Sequence, residues 1–548
     1  MLLFGRGLAV VATLFAATMA AAADTVVVSG GTIVTDANGG TAEALIAKDG
    51  GITFVGSAAE AKAHAKGARV VDLKGAFAYP GFVDSHAHLL WIGVRELTLD
   101  LAAVRSVKEL QTAVATYAAA HPAGPISGRG WIETHWPEKR FPTRADLDAV
   151  VSDRPVFLVR ADGHAAVANT AALKLGGIGR ATPNPAGGRI ERDAKGDATG
   201  MLIDSAMSLV EDEMPEPTPA FKREALKRGV ARVASLGWTG LHNMSVAADE
   251  LAMLNAMAAA GELPIRVDNY LDAAGGAQVL KSGPYQDATG RVRVRGVKLY
   301  VDGALGSRGA ALLAPYSDAT GSGLILLQQK DMLAYLKRAK TAGAQIAVHA
   351  IGDRGNRLVL DAFATTFGAK GGRDLRWRIE HAQVVSSVDL PRFAKLGVIA
   401  SMQPSHAIGD LFFAPARLGA ERLKGAYAWK SLLTSGATIA GGSDAPVEKG
   451  EALEEFYAAV YRHDRKGFAG EDWHLEETVD RRQALAMFTS APAYAAFHEG
   501  KVGTLAVGKR ADISVFSVDL LKAAPAEIIA GRPVMTIVDG VVVFSAEP

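Results

Sequence analysis

Eight short apolar runs, separated by longer stretches rich in Ala, Leu, Lys and Arg, set the strongest limit on what this chain can fold into. They lie at Phe82–Asp84, Thr239–His242, Arg266–Leu271, Gly296–Val301, Gln345–His349, Arg376–Glu380, Val398–Met402 and Thr438–Gly442. Strand-length apolar runs that alternate with helical stretches belong to parallel sheets, and eight such units close a barrel. The predicted class is therefore α/β, with a barrel over residues 81–94 and 221–490. The interval between the first and second runs is far longer than one helix requires. It predicts an inserted α+β lobe over residues 95–220, with its own strand at Pro155–Arg160 and a hairpin-like Gly188-Arg189-Ile190-Glu191. Residues 24–80 and 491–548 read instead as short β-rich pieces between Gly and Asn-Gly turns. Two β-rich ends around a long middle predict one composite sheet domain built from both termini.

The chain contains no cysteine, which excludes disulfides, thiolate metal sites, iron–sulfur clusters and a Cys nucleophile. Any metal must then be held by His, Asp, Glu or a modified Lys. Basic and acidic side chains number 59 and 58, and no strong basic block stands out, which argues against nucleic acid as a partner. Residues 1–23 carry Arg6, an apolar run from Gly7 to about Ala17, and Ala21-Ala22-Ala23 before Asp24. This is the layout of a cleaved export signal, and the run is shorter than the ~20 apolar residues of a spanning helix. The expectation is a periplasmic or secreted protein cut after Ala23, with no stable membrane insertion after cleavage.

The strongest local signal is Pro80-Gly81-Phe82-Val83-Asp84-Ser85-His86-Ala87-His88. Side chains two apart on a strand point the same way, so His86 and His88 aim at one point past the strand end. Alone, His-x-His is as readily coincidence as a ligand pair. The other chemistry-bearing residues change that balance. Lys298, His349, His381 and Asp444 each sit in or just past the C-terminal end of a predicted strand. Parallel barrels gather their catalytic groups at that end.

With these motifs the sequence resembles the metal-dependent amidohydrolase superfamily, in particular its amidohydrolase 3 (YtcJ-like) family. The resemblance spans the chain after the export signal. It implies a distorted (β/α)8 TIM barrel, a composite β-sandwich domain from both termini and the inserted lobe. By resemblance His86 and His88 bind one metal and His349 and His381 a second. Lys298, within Val297-Lys298-Leu299-Tyr300-Val301-Asp302-Gly303-Ala304-Leu305-Gly306-Ser307-Arg308, matches a lysine that is N-carboxylated in many members and bridges both ions. An uncarboxylated lysine beside a single metal is the alternative. Asp444, in Gly442-Ser443-Asp444-Ala445-Pro446, matches the aspartate that binds metal and handles the proton. The implied cofactors are one or two Zn²⁺ ions, or other divalent metals, and a CO2-derived carbamate on Lys298. Bound Zn²⁺ would lower the pKa of a water toward ~7 and polarise the scissile carbonyl.

Substrate-binding candidates are His164, which matches a histidine of the family's insertion, Arg308, a guanidinium for a carbonyl or carboxylate, and Trp131, an apolar wall. Each has a structural alternative: a satisfied lobe histidine, an ion pair with Asp302 or another acid, and packing of the insertion together with Trp136. His242 and His406 lie near the same rim as pocket-lining candidates. The leading function is an exported metal-dependent amidohydrolase that cleaves non-peptide C–N bonds (amide, N-acyl, N-formyl or cyclic amide) in a small-molecule substrate. Lactonase, esterase or phosphotriesterase chemistry on the same site, and a non-catalytic periplasmic binding protein, are the alternatives. A homodimer is left open.

Overall fold

The computed structural model describes residues 25–546 apart from 134, 135, 161, 162, 164, 186, 187, 216, 471 and 472. The expected export signal and His164 therefore lie outside the described residues. The chain divides into two compact units, one of residues 90–229 and one formed by the chain on either side of it.

All eight predicted strands are present in the larger unit: Phe82–Ala87, Trp238–Val246, Arg266–Leu271, Val292–Tyr300, Gln345–Ala350, Arg378–His381, Ile399–Met402 and Thr438–Gly441. Each pairs in parallel with the next. The sixth, seventh and eighth strands are only four residues long, and the second and third carry almost wholly buried side chains. Burial on both faces is why they read as continuous apolar runs and not as alternating ones.

The seam between the eighth and first strands closes through side chains and loop backbone. Ser443 donates from its amide and its hydroxyl to the Asp84 carboxylate, at 2.9 and 2.5 Å. Asp444 N–H donates to the His86 carbonyl at 2.6 Å, and His88 N–H to the Ala445 carbonyl at 2.9 Å. Only glycine fits at 442: a Cβ there would lie 2.5 Å from the His86 amide nitrogen and 2.8 Å from Asp84 Oδ1.

The β-rich ends meet in a continuous eight-stranded sheet. Phe77–Pro80 joins them, pairing parallel with Thr25–Val34 and antiparallel with Ile513–Phe516. This sheet is tied to the barrel base by Phe516, packed 5.1 Å from Phe82 between ring centroids, and by the Arg266–Asp512 ion pair at 2.6 Å. The smaller unit is α+β, with six strands ordered Gly188–Arg192, Ala198–Asp204, Ala165–Ala168, Val156–Arg160, Ile126–Trp131 and Leu99–Asp100. It extends several residues beyond the predicted 95–220 at both ends. Among the described residues no helix is long and apolar enough to cross a membrane.

Removing the Ser443 hydroxyl leaves buried Asp84 short of one hydrogen-bond partner. Ser443→Ala is expected to destabilise the protein by about 1–3 kcal/mol, read as a lowered denaturation midpoint.

Candidate metal centre

The C-terminal ends of the barrel strands bring His86, His88, Lys298, His349, His381 and Asp444 together. His86 and His381 lie 4.7 Å apart between ring centroids, and His349 and His381 4.6 Å. Lys298 Nζ is 3.4 Å from His86 Nε2. His381 and Asp444 adopt left-handed backbone, with φ of 73° and 58°. Non-glycine residues hold such conformations where surrounding structure enforces them, commonly at functional sites.

Hydrogen bonds on the outer side of each imidazole decide which nitrogen is left bare. His86 Nδ1–H donates to Glu380 Oε2 at 2.6 Å. His88 Nδ1–H donates to the Met244 carbonyl at 3.1 Å, and His381 Nδ1–H to Gln403 Oε1 at 2.8 Å. Each therefore keeps an unprotonated Nε2. His349 is turned the other way: its Nε2 faces the Gly303 carbonyl and Asp302 Oδ1, both at 3.5 Å, so Nδ1 is its bare nitrogen. An outer acceptor that fixes tautomer and ring orientation is the usual support of a metal-ligating histidine.

The bare atoms face one another. His86 Nε2 and His88 Nε2 stand 3.4 and 3.3 Å from Asp444 Oδ1. Three acceptors with no hydrogen among them repel, unless a cation sits at their centre. Imidazole nitrogens and a carboxylate oxygen suit Zn²⁺, so the donor set fits the implied metal. Burial, with Lys298 nearby, pulls His86 down to about 4 and His349 to about 3. Burial and the neighbouring His349 hold His381 well below the usual imidazole range. All three are neutral at pH 7, as ligands must be. Burial alone would raise Asp444, but His86 and the other imidazoles around it hold its carboxyl well below the usual range. Burial lowers the Lys298 ammonium to about 8.

Behind His86 runs a fully buried chain that the sequence did not suggest. Arg378 Nε and Glu380 Oε1 pair at 2.5 Å, and the same guanidinium donates to the Ser85 carbonyl at 2.6 Å and to His242 Nδ1 at 2.8 Å. Burial would raise Glu380, yet Arg378 holds it well below the carboxylate range, so it stays an anionic acceptor for His86. Two charged residues two apart on a strand are the signal that could have found this pair, since both point into the barrel. Asp302 is likewise placed by structure alone. It accepts from the amides of Ala311, Ile351 and Gly352 at 2.9, 3.0 and 2.8 Å, and so fixes the turn that follows His349. Tyr300 lies 5.3 Å from His349 between rings and shares a 2.6 Å hydrogen bond with Ser245.

Two of the expected substrate contacts lie against partners within the chain. Trp131 is fully buried in the inserted unit's own core with Trp136, and its indole N–H bonds the Leu158 carbonyl at 2.8 Å. Arg308 forks onto Asp318 at 3.0 and 2.8 Å, an acid ten residues on that Arg417 also pairs with. His242 faces Arg378, and His406 lies against Asp444, with Nε2 3.6 Å from Oδ2.

A family model described as "Amidohydrolase family" matches residues 69–544. YtcJ of Bacillus subtilis (strain 168) is 33% identical over 519 residues, 92% of this chain and 96% of that protein. The N-substituted formamide deformylase of Arthrobacter pascens is 28% identical over 94% of this chain and 98% of its own. Among solved structures, an uncharacterized metal-dependent hydrolase from Pyrococcus horikoshii OT3 superposes with a TM-score of 0.77 at 29% identity. That likeness covers 92% of this chain and 99% of the other.

Glu380→Gln removes the anionic acceptor behind His86, and Zn²⁺ affinity should fall ~10–100-fold, measured by competition with a chromophoric chelator. Metal-free protein should also weaken in acid. His86 and His349 titrate at about 4 and 3 when folded but near ~6.5 when unfolded. The unfolded chain takes up protons first. Between about pH 6.5 and 4 the stability these two histidines contribute is lost, so the urea midpoint should fall less over that range in a His349→Phe variant than in the unsubstituted protein.

Proposed function

Since the chain belongs to the amidohydrolase family, we propose that it is an exported, metal-dependent hydrolase of carbon–nitrogen bonds other than peptide bonds. Its substrates are small amides, N-acyl or N-formyl compounds, or cyclic amides. The observation that carries this is the trio of mutually facing acceptors, His86 Nε2, His88 Nε2 and Asp444 Oδ1, a donor set that suits a divalent cation. A relative that acts on N-substituted formamides supports a nitrogen leaving group. Arg6, the apolar run after it and the Ala21–Ala23 triplet support export to the periplasm or beyond.

One or two Zn²⁺ ions held by His86, His88, His349, His381, Asp444 and a carboxylated Lys298 would supply an acidified water and a polarised carbonyl. The chain's own groups do the rest. Asp444, anionic at neutral pH, accepts the proton of the attacking water and returns it to the departing nitrogen, which would otherwise leave as an unstable amide anion. Glu380 and Gln403 keep the His86 and His381 rings turned inward. A Lys298 ammonium lowered to about 8 leaves a far larger neutral-amine fraction near pH 7.5 than an exposed lysine has. Only the neutral amine adds CO2, so burial favours an amine that could be carboxylated, and a carbamate there would replace a repelling cation with an anion.

Asp444→Asn should keep most of its metal and lose ~10²–10⁴-fold in kcat, whereas His349→Ala should lose metal and activity together. Metal content is read by plasma mass spectrometry and turnover on a panel of N-formyl, N-acyl and cyclic amides beside lactones and phosphotriesters. Full activity in His349→Ala, or turnover confined to lactones or phosphotriesters, would overturn the assignment.

A further inference from the structure

His406 is the fifth imidazole at the barrel mouth. It sits in the helix Pro404–Asp410 that follows the seventh strand, is only 7% exposed, and stacks on His381 with centroids 5.8 Å apart and planes 22° from parallel. With His381 and Asp444 it makes a compact group of metal-ligating residue types. Its hydrogen bonding sets it apart from the other four histidines. Gln383 Nε2 faces His406 Nδ1 at 2.9 Å. An amide N–H there must donate, so Nδ1 is the bare nitrogen and the proton resides on Nε2. The orientation of the Gln383 amide follows from what remains on its far side. With Nε2 toward His406, the group left without a partner is the Oε1 acceptor. Turned over, it would bury an NH2 group with two unused donors, and orphaned donors are the rarer and costlier case.

His406 therefore presents a hydrogen-bond donor where His86, His88, His349 and His381 present lone pairs. That donor has no partner although it is buried, and the facing atom is Asp444 Oδ2 at 3.6 Å. The two oxygens of Asp444 thus look in different directions, Oδ1 toward His86 and His88 and Oδ2 toward His406. We propose that His406 donates from Nε2 to Oδ2 of Asp444 and so keeps Oδ1 turned to the histidine pair. It is a positioning residue for the proton-handling carboxylate and not a metal ligand. A ligand would need a lone pair on Nε2, and Gln383 denies it one.

The inference rests on the hydrolase function proposed above, and two variants test it. His406→Phe keeps the ring stacked on His381 and removes the donor, while His406→Gln restores a donor without the ring. Both should bind the same number of Zn²⁺ equivalents as wild type. His406→Phe should bind them ~10–100-fold more weakly in chelator competition and lose ~10–100-fold in kcat, with KM within about twofold. His406→Gln should recover both to within several-fold of wild type. Loss of a metal equivalent in either variant would make His406 a ligand and overturn the inference. Wild-type affinity and kcat in His406→Phe would overturn it too. Should His406→Phe fail to fold, His406→Gln decides by the same two readings: a full metal complement with near wild-type kcat supports the inference. If wild type hydrolyses none of the amides tested, the proposed function fails, while the affinity and stoichiometry measurements still decide the role of His406.

Discussion

The closure of the barrel between its last and first strands is the constraint on which the site depends. Neighbouring strands elsewhere share backbone ladders, but this junction is made by Asp84, Ser443 and the loop amides of Asp444 and His88. The same hydrogen bonds that close the barrel bring Asp444 against His86 and His88. Structure and site are one object there, and Gly442 shows how tight it is, because no side chain fits between the Asp84 carboxylate and the His86 amide. Buried Asp84 is pushed up to about 7, a sign of how much solvation the seam gives up.

From that junction the electrostatics follow in sequence. Burial strips water from the imidazoles and keeps them neutral. Outer acceptors then choose the tautomer, and the Arg378–Glu380 pair supplies the strongest of them, held anionic within the barrel. A buried ion pair is a poor source of net stability. Its position behind His86 gives it a different use, to keep one ring nitrogen protonated and the other bare. Four imidazoles then present lone pairs and one presents a proton, and only the pattern of outer hydrogen bonds distinguishes them.

Much of this was legible in the sequence. The eight strands were, because burial on both faces makes each a continuous apolar run, and so were His86, His88, Lys298, His349, His381 and Asp444, because each stands at the end of such a run. What escaped notice depends on contacts distant in sequence. Glu380 meets His86 across 294 positions, and nothing local marks Gln383 or Gln403 as a partner of histidine. Arg308 and Trp131 show the same limit from the other side. A guanidinium or an indole beside a motif looks available, yet Asp318 takes the one and the inserted unit's core takes the other.

The central claim is that the facing acceptors His86 Nε2, His88 Nε2 and Asp444 Oδ1 enclose a metal ion. Anomalous diffraction at the zinc edge, from crystals of protein purified without chelators, tests it most directly. The expected result is one or two peaks at the barrel mouth within ~2.0–2.2 Å of these atoms and of the His349 and His381 nitrogens. A metal-replete crystal with no peak there, or with its only peak elsewhere on the chain, would contradict it.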